Sequence, residues 1–394
     1  KEKYKIYSIC TWIIYMLIVG LSPHIVLTYS DGIGMFLSLI LTYIIFKLEK
    51  EKDIKKDKNK INDGKGKNKL LPKGSISRII LILLFTNLSI LGYYIKPQII
   101  IISISYVIIK ILNISYLTYL VIKNKNEDCK NNRRVRKERI KKEIIYYIIV
   151  SILIIITGCI IYTHIRKANN SMGINVDKEK RFNITHYAML GWNPESKGVF
   201  TIKDENFSGK YEKLKDREKA NLELKRRITE MGLGGVINQI ARKILTNYND
   251  GTFSGVATFV YIRKEYNIEG INKELSKFLK NIYYENGKYN MIYTQIMQCL
   301  WIGILIFNMF SYNDGKSTKI SIVILGIIGL FIFEILFEAR SRYIFIYVPL
   351  YIFLGVIGLK NVLRIFVVKI KGIKNKENVI LYMCENTKMS KGNV

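Results

Sequence analysis

Residues 77–122 read SRIILILLFTNLSILGYYIKPQIIIISISYVIIKILNISYLTYLVI. Two long apolar runs meet at Lys96-Pro97, and between Arg78 and Ile122 the only other charge is Lys110. A surface helix of a soluble protein keeps one polar face, whereas a helix that crosses the hydrocarbon core needs about 20 apolar residues. The stretch therefore predicts a membrane hairpin: one span over Ser77–Ile95, a tight turn, and a second span over Pro97–Ile122. Lys110 is awkward, because a lysine at a helix centre costs about 2.5–3.5 kcal/mol. The expected solution is a span that ends near Asn113, with Lys110 snorkelling to the inner surface and Ile114–Ile122 lying along the interface.

The same ruler, applied outward in both directions, predicts further spans at Ile6–Ser22, Gly32–Leu48, Glu143–Ile165, Met291–Ser311, Ile320–Phe337 and Tyr343–Leu359, eight in all. The expected fold is an all-α polytopic integral membrane protein. Its 394 residues carry a formal net charge of +31, but the basic residues are gathered between the apolar runs, so the balance does not predict nucleic-acid binding. Lys47–Arg78, Lys123–Lys142 and Lys360–Lys376 are dense in lysine and arginine, which places them in the cytoplasm. Pro23–Asp31, Ile95–Pro97 and Phe337–Arg342 then face outward, and all eight spans alternate without conflict.

Residues 166–290 differ in composition, being polar and charged. The chain thus divides into N-terminal membrane helices with basic loops over 1–165, an extracytoplasmic and mainly helical segment over 166–290, C-terminal membrane helices over 291–360 and a basic tail over 361–394. Tyr211–Met231 reads as a charged helix with Glu212/Lys215 and Glu223/Arg227 at supporting spacing. Gly232–Tyr248 sets Val236, Ile237, Ile240, Ile244 and Leu245 on one side, with Arg242 and Lys243 elsewhere, as in a helix that lies on the outer leaflet or packs on the bundle. Tyr283, Tyr284, Tyr289 and Tyr293 suit an interfacial anchor where the chain re-enters the membrane.

Phosphate-cradling glycine loops, nucleophile elbows and zinc motifs are absent from the sequence. Five cysteines show no ligand spacing, and none lies in 166–290. His24, His164 and His186 read as interfacial or loop residues. Three outward elements carry the chemical signal instead. Asp31 opens a span, where it serves as an N-cap or as a carboxylate facing a cavity. Lys96 sits in the tight turn Gly92–Pro97, able to meet a phosphate. Glu334 and Glu338 fall one helical turn apart, followed by Arg340, Arg342 and Tyr343. Mutual Glu–Arg pairing explains that last run, and so does a phosphate-binding gate, since arginine forks match both carboxylates and phosphates.

Four stretches carry a family likeness: Thr28-Tyr29-Ser30-Asp31; Gly92-Tyr93-Tyr94-Ile95-Lys96-Pro97; His186 to Pro194 together with Asn249 to Phe253; and Phe337 to Phe345. In order and sidedness they resemble the C-type membrane glycosyltransferases of the dolichyl-phosphate-mannose protein mannosyltransferase and aminoarabinose transferase family, in its Gram-positive bacterial form. The resemblance implies transfer of a sugar from a polyprenyl-phosphate donor to an envelope glycan, lipid or protein acceptor on the outer face of the cell membrane. It implies Asp31 and Glu338 as the carboxylates that organise acceptor or metal, and Lys96, Arg340, Arg342 and Tyr343 around the donor phosphate. A divalent cation is the candidate cofactor. The family's usual base, an aspartate in a first outer loop, has no match in the chain and is expected before Lys1. Two other classes stay open: a transporter or flippase of a lipid-linked or anionic solute, and a non-catalytic scaffold for envelope assembly.

Overall fold

Without water in the hydrocarbon core, every backbone amide of a spanning segment must be bonded within the segment, and helices do this. The computed structural model describes residues 2–26, 30–61, 75–123, 130–173, 182, 184–209, 217–255, 272–314 and 317–366. Among these residues there is no strand. The helices are α1 (Glu2–Tyr15, continued by a π-helical turn Met16–Gly20), α2 (Ser30–Ile61), α3 (Ser75–Ile95) and α4 (Ile100–Lys123). They are followed by α5 (Lys130–Ser171), α6 (Ile184–Gly191), α7 (Ile202–Gly209), α8 (Arg217–Tyr248), α9 (Lys273–Tyr283), α10 (Asn290–Asn308) and α11 (Thr318–Leu336). A 3-10 stretch Ser341–Tyr347 leads into α12, residues 348–366.

Each of the eight predicted spans falls on a helix. Six are long and apolar enough to cross a membrane: Ser30–Glu49, Ser77–Ile95, Pro97–Tyr116, Asn290–Asn308, Thr318–Leu336 and Ser341–Phe366. The chain is thus an all-α, multi-pass membrane protein. Lys5–Gly20 is a shorter apolar helix, and Glu143–Ile165 forms the middle of the long α5. The spans of α12 and α2 are 72% and 56% buried against 22–28% for the other four, which makes these two helices the centre of the bundle. Leu41, Ile45 and Leu48 of α2 meet Ile99, Ile102, Val323, Leu330, Phe345 and Val348 in the core. Around this pair α3 packs on α2 and α5, and α4 packs on α11.

Lys110 does not snorkel. The helix α4 runs unbroken to Lys123, and the Lys110 ammonium is buried in an ion pair with Glu49 of α2 while lying 5.2 Å over the Tyr106 ring. Glu49 offers a partner inside the bundle, so the span need not end early. Nothing in a single apolar run announces that a carboxylate on another helix lies at the same depth.

From Arg217 onward, the predicted charged half and the apolar half are one element, α8, bent at Gly232, whose φ of 59° favours glycine. Glu223 and Arg227 pair as expected, at 2.8 Å; Glu212 and Lys215 lie outside the described residues. Beyond the bend the helix turns an unusual stripe inward: Gln239, Lys243 and Asn247, spaced four apart, are buried, whereas Leu233, Ile237 and Leu245 are exposed. Polar groups fasten this half to the protein and apolar ones face away. In the tyrosine cluster the Tyr283 and Tyr293 rings meet edge to face at 5.3 Å, and the Tyr283 hydroxyl donates to the Leu21 carbonyl.

Removing one partner of a buried ion pair leaves an uncompensated charge and typically costs about 3–5 kcal/mol, whereas replacing both with apolar groups can be neutral. Lys110→Met should therefore lower the thermal unfolding temperature of the detergent-solubilised protein sharply. Adding Glu49→Leu should recover most of the loss, as a double-mutant cycle would read out.

Candidate functional site

The site is built where three connections share one end of the bundle: α1 to α2, α3 to α4, and α11 to α12. Its geometry is set by how α11 stops. The helix closes at Leu336, and Phe337 is extended at φ −113°, ψ −171°. The last carbonyls of a helix have no intrahelical donor, and here the Lys243 ammonium takes two of them, from Ile335 and Phe337, at 2.5 Å each. A cation at that position also complements the helix dipole. Lys243 is fully buried and lies 5.5 Å over the Trp192 ring. Burial pushes its pKa down to about 8, with the Glu334 carboxylate acting in the opposite sense. Gly191 makes this junction feasible: a Cβ there would come within 2.3 Å of the Phe337 carbonyl oxygen. The extended segment is then held by the amide of Ala339, which donates to the Gly198 carbonyl at 2.8 Å.

Glu334 and Glu338 consequently do not share a helical face, contrary to the spacing argument, because the helix ends between them. Glu338 is turned toward Tyr343, whose hydroxyl donates to its Oε2 at 2.8 Å. The Tyr343 ring in turn lies 5.0 Å from the Lys96 ammonium and 5.2 Å from the Arg342 guanidinium. Lys96 is ion-paired with Asp31. The Asp31 carboxylate goes to Lys96 and His24, not to the amides of the helix it opens; the His24 Nε2 lies 3.2 Å from Asp31 Oδ2. Burial, reinforced by Lys96, Arg342 and Arg340, pushes the His24 pKa down to about 4. A carboxylate only accepts, so Nε2 is the donor of this bond. Arg340 and Arg342 are half-buried beside this group.

All six residues singled out as site candidates therefore assemble: Asp31, Lys96, Glu338, Arg342 and Tyr343 form a connected chain of contacts, and Arg340 stands at the N-terminal boundary of the 3-10 stretch. Three further residues belong to the site and escaped the sequence reading. His24, expected as a loop residue, is buried against Asp31 and packs 4.7 Å from the Phe345 ring. Asp250 ties the turn 250–254 together by accepting from the Thr252 and Ser254 amides at 2.8 and 2.6 Å, and it also accepts from Ser341 Oγ at 3.2 Å. Lys243 was visible only as one member of a polar stripe four residues apart. Glu334, buried in α11, has no hydrogen-bond partner at either carboxylate oxygen. Among the described residues no group of three or more His, Cys, Asp or Glu side chains is placed to hold a metal ion; Asp31 with His24 is a pair.

Beside the membrane site, α6, α7 and α8 enclose a second polar network. Asp204 accepts from Arg227 at 2.6 Å and from Asn193 at 2.7 Å, and Glu223 accepts from both Arg226 and Arg227. Burial pushes the Asp204 pKa up, but the hydrogen bonds from Arg227 and Asn193 and the guanidinium charge outweigh it, and the net direction is down. Glu223 is lowered to about 2, chiefly by its hydrogen bond from Arg226.

A family model described as a conserved hypothetical integral membrane protein matches residues 4–363, and the chain belongs to that family. No curated protein and no solved structure matches it.

Because Asp204 and Glu223 titrate below their ordinary values of about 4, they contribute stability that is fully present above about pH 4 and is lost as pH falls toward about 2. Unfolding of the purified protein, followed between pH 5 and pH 2 (~three units of the linkage range), should show this acid-dependent loss. Asp204→Asn with Glu223→Gln should flatten the dependence while lowering stability at neutral pH.

Proposed function

As a member of an integral membrane family, the chain works at a bilayer, and we propose that it is a glycosyltransferase that moves a sugar from a polyprenyl-phosphate donor to an envelope acceptor. The family description names no chemistry, so the reading rests on the site and on the sequence likeness. The observation that carries it is the convergence of Lys96, Arg340 and Arg342 with Asp31, Glu338 and Tyr343 at the ends of membrane spans. With the basic loops in the cytoplasm, this end and residues 166–290 face outward.

The site suits the reaction for physical reasons. A sugar bonded to a lipid phosphate already carries its leaving group. The bond that breaks joins the anomeric carbon to the phosphate oxygen; the bond that forms joins that carbon to the acceptor oxygen. The departing phosphate keeps the electron pair, and guanidinium and ammonium donors aimed at it stabilise the charge that develops. The acceptor hydroxyl gives its proton to a carboxylate, and Asp31 and Glu338 are the groups at hand to receive it or to share a divalent cation. A desolvated position at the edge of the bilayer strengthens each of these interactions.

A second reading, ion-coupled transport of a lipid-linked or anionic solute, is favoured by Glu334. A carboxylate buried within a span with neither oxygen bonded is the type of residue that carries protons or ions in transporters.

Membranes containing the full-length protein, supplied with radiolabelled polyprenyl-phosphate sugars and an envelope fraction, distinguish the two. Arg340→Ala and Arg342→Ala should each reduce transfer by about a hundredfold or more at unchanged protein levels. Labelled lipid that instead crosses the bilayer of reconstituted vesicles, with no sugar transferred and with flux abolished by Glu334→Gln, would replace the transferase reading by the transporter.

A further inference from the structure

The polar network of α6–α8 borders a cleft of about 420 Å³, lined by Asn193, Lys203, Asp204, Phe207, Arg226, Glu230 and their neighbours. That size falls in the ordinary range for ligand sites, about 300–1,000 Å³. From its composition and position we infer that the cleft binds a neutral, hydroxyl-rich chain, a short oligosaccharide, which under the transferase reading is the acceptor glycan.

Charge selects the ligand class. The carboxylates that line the cleft are matched by guanidinium and ammonium groups: Asp204 with Arg227, Glu223 with Arg226 and Arg227, Glu230 with Arg226 at 2.5 Å, and Glu195 with Lys203 at 3.7 Å. The four carboxylates Glu195, Asp204, Glu223 and Glu230 and the three cations Lys203, Arg226 and Arg227 are all committed to one another, so a charged ligand would compete with these pairs. A neutral one need not, because paired carboxylates and guanidiniums keep spare acceptors and donors. Planar groups of this kind present two adjacent hydrogen-bonding atoms, the spacing at which vicinal hydroxyls sit. Phe207, Pro194 and Met231 add apolar surface for the C–H face of a sugar ring.

Position selects the role. The loop that floors the cleft is wired directly to the membrane site. Gln239 donates to the Gly191 and Asn193 carbonyls at 3.2 and 3.1 Å. The Gly198 carbonyl accepts from Ala339, next to Glu338. A chain seated in the cleft thus touches Asn193, Pro194 and Glu195, in the loop whose Gly198 carbonyl bonds the segment that presents Glu338 and Arg340. Assignment as an acceptor site depends on the transferase reading; binding of a neutral glycan does not.

The test uses the full-length protein in lipid nanodiscs, without donor, against a panel of neutral oligosaccharides, with an oligogalacturonate and a lysine-rich peptide as charged counterparts. Binding is expected for at least one neutral glycan. It should weaken at least tenfold in Met231→Trp, which fills the cleft, and severalfold in Glu230→Gln at the exposed rim. Arg340→Ala should bind the glycan like the wild type, so that loss of transfer at the membrane site and loss of glycan binding are separable. Preference for either charged probe, absence of binding across the neutral panel, or neutral binding unchanged by both cleft variants would overturn the inference.

Discussion

The ammonium of Lys243 holds the end of α11 open. A membrane helix that stops near the bilayer edge leaves carbonyls that neither lipid nor another helix can bond, and two of these are taken by one buried lysine. Without that cation the cheapest course for the backbone would be to continue the helix through Phe337 and Glu338. Glu338 would then stay on the α11 surface and the arginines would follow it up the same helix. Because the helix is stopped, the four residues Phe337 to Arg340 carry Glu338 and Arg340 away from it, and the 3-10 stretch delivers Arg342 and Tyr343 opposite Lys96 and Asp31. Gly191 packs against both Lys243 and the Phe337 carbonyl, so α6, α8 and the end of α11 meet at this one ammonium.

What could be read from the residues was whatever depends on composition along one helix. The apolar runs and the basic segments between them determine the helices and their alternation, and the spans α2, α3, α4, α10, α11 and α12 lie close to their predicted bounds. Asp31, Lys96 and the Glu338–Tyr343 run stand out because they place charge in short outward turns, the side on which basic residues are least expected. Features that depend on pairing between helices were not legible. Lys110 alone suggested a shortened span, and only Glu49 at the same depth makes an unbroken α4 feasible. Glu334 and Glu338 suggested a common face, since spacing does not reveal that a lysine 92 residues away ends the helix. Lys243 lies off the apolar side of its helix with Arg242, and its neighbours at four-residue intervals, Gln239 and Asn247, are also polar. A polar stripe that regular, on a helix whose apolar side is exposed, was the available signal.

That inverted helix bears on how a lipid-borne substrate would reach the site. The second half of α8 turns Leu233, Ile237 and Leu245 away from the protein, beside the exposed Asn238 and Arg242, and amphipathic helices can settle at the boundary of headgroups and acyl chains. The same helix supplies Lys243, so its depth fixes the depth of the α11 terminus and, through it, of Arg340 and Arg342. Under the transferase reading the guanidiniums then stand at the level of lipid phosphates, where a polyprenyl phosphate presents its charge without leaving the membrane. The cleft of α6–α8 lies on the other side of the same backbone junction, beside the charged half of α8 that runs away from Gly232. Under the transferase reading, the loop that carries Asn193, Pro194 and Glu195 of the cleft and the segment that carries the arginines thus join at one backbone contact, Ala339 to Gly198. An enzyme that joins a membrane-bound donor to a soluble acceptor requires such a meeting point. A transporter does not, because its substrate keeps to a single path through the bundle.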